Sequence, residues 1–221
     1  PARHALPRWA EVLRQKYLAG EASTFVLYRN VFDNYVVGEK LYSLGTFLVE
    51  ALFKDTKQHV CEVSLERGIR VLSGTGEDKQ RALLRPVEAG SEPDLLASLH
   101  ALEQRMRTQP STAVIVPYAD ALLPAGDPSF MAHADRQTYL VFHRWSLDQT
   151  LTQGDNIVVL ITESLGAINP GLLSNPKVAA IEIPMPDLAM RRRVIAFFAP
   201  KLTTQQVTLF SERTGGLRTV Q

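Results

Sequence analysis

The stretch VVLITESLGAINPGLLSNPKVAAIEIPMPDLAMRRRVI, residues 158–195, decides the fold. It contains most of one apolar run, 156–163, and all of a second, 178–184, with a short polar connection between them. Unbroken apolar runs of this length are typical of strands in a parallel sheet, which are buried on both faces. A helix is predicted from residue 186 to residue 200, directly after the second run. The order strand, connection, strand, helix therefore predicts an α/β fold.

The rest of the chain continues this alternation of strands and helices. Further β-rich apolar runs lie at 23–28, 59–64 and 112–118, and helices are predicted at 7–19, 37–53, 93–107, 129–146 and 201–215. Residues 67–79 are predicted to form a small extra hairpin or loop insertion. We expect one three-layer, doubly wound domain, with a parallel sheet of about five strands covered by helices on both faces.

Composition narrows the class of protein. The net charge of +1 over 221 residues removes the electrostatic case for nucleic acid as a main partner. No apolar window is long enough to span a membrane, and the first residues lack a signal-peptide core, so a cytoplasmic location is expected. The five histidines show no metal-ligand spacing. The single cysteine, Cys61, lies in an apolar run and is expected to be a core residue.

The residues that follow the predicted strands resemble those of AAA+ ATPases. In that family a sensor-1 strand ending in Thr-Asn precedes Asp-Pro-Ala-Leu, and a final strand precedes Pro-Leu-Pro-Asp and an Arg-rich helix. The matching positions are, in order, Thr162-Glu163, Asn169-Pro170-Gly171-Leu172, Pro184, Pro186, Asp187, Arg191 and Arg192. The run 113–124 is similar to the Walker B strand, and residues 9–33 are similar to the start of the degenerate first module of tandem-AAA proteins. The likeness covers roughly residues 20–221.

The phosphate-binding motif of that family is missing. ATP hydrolysis requires a glycine-rich loop whose N–H groups hold the phosphates, followed by Gly-Lys-Ser/Thr. The loop after the first strand, residues 29–42, contains one glycine and no such motif. Asn30, Gly38 and Lys40 are weak candidates for a remnant, but Glu39 places negative charge between the last two. An ordinary loop that leads into a helix is the preferred interpretation.

The positions that the resemblance assigns to catalysis are also replaced. Pro117 and Tyr118 stand where Walker B carries the Asp that holds magnesium and the Glu that polarises water. Glu163 replaces the sensor-1 Asn with a carboxylate, which repels phosphate. Lys177 is the only cation near the expected arginine finger, and Asp120 aligns with a position that is usually structural. No catalytic or metal-binding residue is therefore predicted, and no cofactor is expected in this segment.

The resemblance also implies an organisation and a function. We expect an N-terminal amphipathic helix within residues 1–20, a degenerate AAA+ core over 21–200, and the start of a small helical lid over 201–221 with an exposed apolar face. The implied function is an inactive module that serves assembly, scaffolding or regulation. Its expected partners are neighbouring subunits, a protein substrate, and an active AAA+ module beyond Gln221 in the same parent chain, which would bind ATP and magnesium.

Two alternatives remain open. In one, the chain binds nucleotide through an unusual phosphate loop at residues 30–38. In the other, it is an unrelated α/β binding or enzyme domain. The order of the strands is expected to distinguish an AAA+ core from an unrelated domain. In an AAA+ core we expect the first strand to lie between the fourth and the third. A different order would favour the unrelated domain.

Overall fold

Strands and helices alternate along the chain, as predicted. The computed structural model describes residues 6–37, 40–74, 94–127 and 129–219. The strands are β1 (Thr24–Arg29), β2 (Asn34–Val37), β3 (Lys40–Ser43), β4 (His59–Ser64), β5 (Gly68–Gly74), β6 (Thr112–Val116), β7 (Ile157–Thr162) and β8 (Val178–Ile183). The helices are α1 (Arg8–Leu18), α2 (Leu44–Phe47) with a π-helical continuation (Leu48–Phe53), α3 (Leu95–Thr108), α4 (Ala119–Leu122), α5 (His133–Leu147), α6 (Gln149–Gln153), α7 (Pro170–Leu173), α8 (Leu188–Phe198) and α9 (Thr204–Arg213).

Some of the predicted features fall on residues outside the described ranges. Gly38, the middle member of the phosphate-site candidates, lies outside the described residues, as does Glu39. The same holds for residues 1–5 of the N-terminal unit, 75–79 of the predicted insertion and 220–221 of the predicted lid.

The central sheet contains five parallel strands in the order β4-β6-β7-β1-β8, which confirms the predicted fold class. The predicted insertion supplies a sixth strand, because β5 pairs antiparallel with β4 at the edge of the sheet. The first parallel strand, β1, lies between the fourth, β7, and the fifth, β8. The expected position between the fourth and the third is therefore wrong, because β7 pairs with both β6 and β1 and separates them.

Helices cover both faces of this sheet and create two apolar cores. Alternating side chains of one strand point to opposite faces, so Phe25 belongs to one core and Val26 to the other. The first core includes Trp9 of α1 and Phe47 of α2, and the second includes Phe142 of α5. The sheet therefore lies between two layers of helices, as predicted. Among the helices that the structure describes, none has the length and apolarity that a membrane span requires.

The largest departure from the predicted secondary structure lies at residues 37–53. The apolar spacing there predicts one helix, but residues 40–43 form β3, which pairs antiparallel with β2. In this pairing Tyr35 is opposite Tyr42 and Val36 is opposite Leu41, so cross-strand contacts favour a hairpin over a helix. The helix begins only at Leu44, where the Ser43 side chain accepts a hydrogen bond from the Thr46 N–H at 3.3 Å.

The last two helices pack against each other. Arg191 of α8 donates from Nε to the carbonyl oxygen of Ser211 in α9 at 2.9 Å. Several large apolar side chains of this pair are exposed to solvent, namely Leu188, Phe197, Phe198, Leu209 and Phe210. An exposed apolar surface was expected in this region. The assignment of residues 201–221 to a helical lid stays a prediction.

Candidate ligand cavity

A cavity of about 490 Å³ lies beyond the carboxyl ends of β1 and β8. It is lined by the start of α1, by the loop and strand that follow β1, by the connection from β8 to α8, and by α8 itself. The lining residues are Leu6, Pro7, Arg8, Trp9, Asn30, Asp33, Asn34, Tyr35, Val36, Val37, Pro184, Met185, Pro186, Asp187, Met190, Arg193 and Thr219. Open parallel sheets bind their ligands at this edge, so the cavity is the candidate functional site.

The loop after β1 is held closed by its own side chains. Asn30, which is 1% exposed, donates from Nδ2 to Asp33 Oδ2 at 2.8 Å and to the Pro184 carbonyl oxygen at 3.4 Å. The second oxygen of Asp33 accepts from the Asn34 N–H at 2.9 Å, and the Tyr35 hydroxyl donates to the Asn30 carbonyl oxygen at 2.9 Å. The Asp33 carboxylate thus accepts from one side-chain donor and one backbone donor of the loop.

Aromatic side chains form one wall of the cavity and the core behind it. The Trp9 ring lies 5.8 Å from Tyr35 and 5.4 Å from Phe47, measured between ring centroids. Tyr35 and Phe47 are 5.8 Å apart, so the three rings contact one another. This cluster fixes α1 and the hairpin β2-β3 against the end of β1. Aromatic pairs in such geometries add to the stability gained from burial.

The charges around the cavity have both signs. Arg8 and Arg193 are exposed cations in the lining, and Asp33 and Asp187 are the acidic residues. Burial and the Asp33 charge raise the pKa of Tyr35 far above its usual value. Tyr35 is therefore a neutral donor at physiological pH. A phosphate that entered along this loop would meet the buried carboxylate of Asp33, which is electrostatically unfavourable.

The three candidates for a phosphate remnant are not brought together among the described residues. Asn30 lines the cavity. Lys40 is exposed on β3 and does not line the cavity, because the hairpin carries it away from the end of β1. Gly38 lies outside the described residues.

The Walker B positions lie at the end of β6. Pro117 follows the strand directly, and Tyr118 adopts a left-handed backbone conformation with φ of 51°. Tyr118 is 61% exposed, and its ring lies 5.4 Å from that of Phe32 in the loop after β1. Asp120 is half-buried in α4. The edge of the sheet thus carries an exposed aromatic pair where the family resemblance places two catalytic carboxylates.

The sensor-1 position is occupied by an ion-paired carboxylate. The Glu163 side chain lies 3.5 Å from the Arg218 guanidinium, in the segment after α9, and is 55% exposed. Its carbonyl oxygen accepts the Arg29 N–H at 3.0 Å, which joins the ends of β1 and β7. Arg29 has φ of 82° and forms an ion pair with Glu182. Glu163 therefore joins β7 to the end of β1 through its carbonyl oxygen and pairs with Arg218 through its side chain.

Two other family-motif residues cap helices. Asn169 is buried and accepts from the Gly171 N–H at 2.9 Å, which caps α7. Asp187 accepts from the Met190 N–H at 2.7 Å, which caps α8. Asn and Asp are preferred at such positions because their side-chain oxygens satisfy free N–H groups of the first turn.

Arg191 connects the cavity lining to α9. Its Nη1 donates to the carbonyl oxygen of Pro186 at 2.7 Å, and its Nε donates to Ser211 as described above. Pro184, two residues before Pro186, accepts from Asn30 through its own carbonyl oxygen. Arg192 is exposed to solvent. Both prolines thus serve through their carbonyl oxygens, and Arg191 serves as a structural clamp.

Sequence reasoning missed Asp33 and Trp9 as members of the site. The pair Asp33-Asn34 carries a local signal, because an Asp side chain readily accepts from nearby backbone N–H groups in a turn. Trp9 carries no such signal, because its position beside Tyr35 depends on how α1 packs on the sheet. Cys61 is buried, as expected, and burial raises the pKa of its thiol to about 11.

The fold and the position of the cavity define a class of protein: an α/β domain of nucleotide-binding type. The sequence model of the AAA+ chaperone N-terminal Rossmann-like domain matches residues 1–184. The chain belongs to this family. This assignment excludes the alternative of an unrelated α/β domain, and it carries more weight than the strand-order criterion, which was wrong.

The structure is similar to a chain in the structure of the E. coli MS115-1 HORMA:CdnC:Trip13 complex. The TM-score is 0.57 at 16% sequence identity, over 94% of this chain and 66% of that chain. A likeness at this identity concerns the fold alone. The chain spans about two thirds of the length of that neighbour. No curated protein sequence gives a significant match.

Proposed function

We propose that the chain is a non-hydrolysing AAA+ module that serves assembly or regulation of an ATPase whose active module lies elsewhere in the parent protein. The observation that carries the proposal is the loop after β1. Asp33 accepts from the Asn30 side chain and the Asn34 N–H, and the chain continues into the hairpin β2-β3 in place of a glycine-rich loop and helix. A phosphate-binding loop needs several N–H groups directed at the anion, and the described residues 30–37 include no glycine that would let the backbone wrap around one.

The replaced catalytic positions support the same proposal. Hydrolysis of ATP needs a magnesium ion that bridges phosphate oxygens and a group that orients the attacking water. Pro117 has neither charge nor a side-chain polar atom, and the Tyr118 ring lies against Phe32. Glu163 is engaged with Arg218. None of the three offers the chemistry that the step requires.

The intact scaffold supports a role in assembly. The parallel sheet, both cores and the cavity are retained even though the catalytic groups are replaced. The neighbouring structure is a complex of several proteins, which is consistent with a module that acts beside protein partners. The proposed partners are an active AAA+ module of the parent chain and neighbouring subunits, with ATP and magnesium confined to the active module. A cytoplasmic location and a role in protein remodelling belong to the same proposal.

Binding of a fluorescent ATP analogue, with and without magnesium, tests the proposal. We expect no saturable binding up to about 1 mM, which corresponds to a binding free energy weaker than about −4 kcal/mol. Hydrolysis of ATP should equal the buffer blank. Saturable binding with magnesium dependence would contradict the inactive-module proposal.

A second candidate function, nucleotide binding without the usual loop, is favoured by a separate observation. Trp9 Nε1, Asn30 Oδ1 and Thr219 Oγ1 are buried and have no hydrogen-bond partner among the described residues, and all three residues line the cavity. Buried polar atoms are normally paired, so a ligand that entered with small side-chain rotations would satisfy them.

Three variants, two of them a matched pair, distinguish the candidates. If nucleotide binds, Arg193→Ala should weaken it by about tenfold, since a charge-assisted hydrogen bond contributes about 1.5–3 kcal/mol, whereas Arg192→Ala, outside the cavity lining, should not. Asp33→Asn should strengthen binding by removing the buried negative charge. Equal affinities for all three variants would refute binding in this cavity.

A further inference from the structure

The charged residues that line the cavity are compensated unequally. Both acids, Asp33 and Asp187, accept hydrogen bonds from N–H groups of the protein. Both cations, Arg8 and Arg193, are exposed to solvent, and neither forms an ion pair with any residue that the structure describes. The charge in the lining that lacks a partner within the described part of the chain is therefore positive.

The start of α1 adds hydrogen-bond donors to the wall of the cavity. Residues 6–9 line the cavity, and Pro7, which precedes the helix, provides no side-chain cap. The N–H groups of Arg8 and Trp9 have no acceptor within the helix, and N–H groups at a helix start attract anions. Trp9 is 5% exposed, and its Nε1 has no acceptor among the described residues. The start of α1 therefore offers both donors and positive charge.

Asn30 adds an unpaired acceptor to the lining of the same cavity. Its Nδ2 donates to Asp33 Oδ2 and to the Pro184 carbonyl oxygen, and these two acceptors fix the orientation of the amide. Its Oδ1 is buried and has no donor among the residues that the structure describes. Tyr35 connects Asn30 to Trp9, because its ring contacts the indole and its hydroxyl donates to the Asn30 carbonyl oxygen. An acceptor and a donor thus lie on either side of one tyrosine.

We propose that the cavity binds the C-terminal residue of a partner protein. Such a residue combines a carboxylate, which is held by the donors of α1 with Arg8 and Arg193, and an amide N–H, which donates to Asn30 Oδ1. A phosphate group or a fatty acid offers oxygen acceptors and no N–H donor, so it leaves Asn30 unpaired. The volume of about 490 Å³ and apolar lining residues such as Val36 and Met185 suit an apolar last side chain.

Binding requires small rotations of side chains in the wall, because Trp9 Nε1 and Asn30 Oδ1 are covered in the free protein. The inference rests on the assembly role proposed above, since a module that serves assembly binds another protein. The two can fail separately. ATP binding would refute the inactive module, whereas a cavity that binds neither peptide nor nucleotide would refute only the site for a C-terminal residue.

Fluorescence anisotropy with two labelled peptides tests the site. Both have the sequence Gly-Ser-Gly-Ser-Val-Leu and a fluorescein at the N-terminus, but one ends in a free carboxylate and the other in a carboxamide. We expect the free acid to bind saturably and the carboxamide to bind at least about tenfold more weakly, because it carries no charge for Arg8 and Arg193. The affinity for the free acid should fall as salt is raised, since both arginines are exposed.

Matched variants locate the binding site. Arg8→Ala and Arg193→Ala should each weaken the free acid by about tenfold and reduce its advantage over the carboxamide, since each removes a charge-assisted contact. Arg14→Ala on α1 and Arg192→Ala on α8 remove exposed cations outside the lining and should have no effect. Trp9→Phe keeps an aromatic ring but removes the indole N–H, so it should also weaken the free acid. The four arginines are exposed, so their variants are expected to fold.

Several results would overturn the proposal. Equal affinities for the two peptides, or equal losses in Arg8→Ala and Arg14→Ala, would show that the cavity recognises no terminal carboxylate. If decanoate, which has no N–H group, displaces the labelled free acid as well as unlabelled peptide does, Asn30 selects nothing and the cavity takes fatty acids. Displacement by ATP would assign the cavity to nucleotide.

Discussion

Glu103 of α3 joins the two helices α3 and α5 beside the second core, and its removal gives the sharpest test of their packing. Its side chain is 7% exposed and accepts hydrogen bonds from Arg107 at 2.9 Å, from Arg144 at 2.5 Å and from Trp145 Nε1 at 3.0 Å. Arg107 also pairs with Asp148 at 2.5 Å. One carboxylate therefore connects α3 to two residues of α5.

The magnitude of the effect follows from what each partner loses. In Glu103→Ala the Trp145 N–H, on a residue that is 2% exposed, is left without an acceptor, at a cost of about 1–3 kcal/mol. The guanidiniums of Arg144 and Arg107 are 49% and 28% exposed and regain water, so each adds only about 0.5 kcal/mol. We expect a total loss of about 3 kcal/mol, at the low end of the range for breaking a buried ion pair.

The conservative variant separates the hydrogen bond from the charge. In Glu103→Gln the amide oxygen still accepts from Trp145, so the loss should be about 1 kcal/mol. Urea denaturation measures both, and a melting curve should show a decrease of about 6–12 °C for the alanine variant in a chain of this size. A loss below about 0.5 kcal/mol in Glu103→Ala, or equal losses in both variants, would refute the reasoning.

Acidification provides an independent check on the same residue. Burial alone would raise the pKa of Glu103, but hydrogen bonds from Arg144, Arg107 and Trp145 hold it below its usual value. The charged form therefore stabilises the folded state above the unfolded pKa of about 4.3, and this contribution is lost as the pH falls through the lower folded pKa. The free energy of unfolding of Glu103→Gln should lose this part of its acid dependence.

Three further changes test contacts elsewhere. Arg191→Ala should accelerate amide hydrogen exchange throughout α9 by about tenfold, because the link to the Ser211 carbonyl is lost, while Arg192→Ala should not; equal rates would contradict the clamp. Asp155→Ala should lower the free energy of unfolding by about 1–2 kcal/mol, because Lys57, with a side chain that is 4% exposed, loses its carboxylate partner at 2.6 Å. An unchanged urea midpoint would count against that network. Asn169→Ala should cost about 1 kcal/mol through loss of the α7 cap, whereas Asn169→Asp should retain most of it.

The layered fold was predictable because the central strands carry their own signal. The runs that form β6 and β7 are apolar and buried on both faces, as expected of central strands in a covered parallel sheet. β8 lies at the edge of the sheet, and its Glu182 is exposed. The order of these strands was not predictable from such runs. It depends on pairing between segments far apart in the chain, and the apolar pattern of β1 fits a place beside any parallel strand.

The hairpin β2-β3 shows how one apolar pattern can satisfy two structures. Residues 37–53 have apolar spacing suited to a helix, but Ser43 is a preferred helix-capping residue and marks the true start. The preceding residues Tyr35, Val36 and Tyr42 have high β-propensity. If the capping residue and the β-propensity are given more weight than the apolar helical spacing, the sequence predicts a strand followed by a helix in this segment.

The candidate site was only partly predictable for a related reason. The sequence identified what is missing, because Gly-Lys-Ser/Thr and paired acidic residues are short local motifs. It did not identify what replaces them, because Trp9, Tyr35 and Pro184 come together only in the folded chain. The role of Asp33 was partly predictable, because its contacts with Asn30 and Asn34 are local in the sequence.

Asp33 also suggests how a loop at this position is held when it carries no phosphate-binding motif. In a phosphate-binding loop, the donors at the end of the first strand would be left unpaired in the absence of ligand. Here the Asp33 carboxylate accepts from both the Asn30 side chain and the Asn34 N–H, so an anion of the chain itself pairs with donors of this loop. If the module binds no nucleotide, as proposed, we expect these contacts to hold the loop and the same carboxylate to disfavour a phosphate beside it.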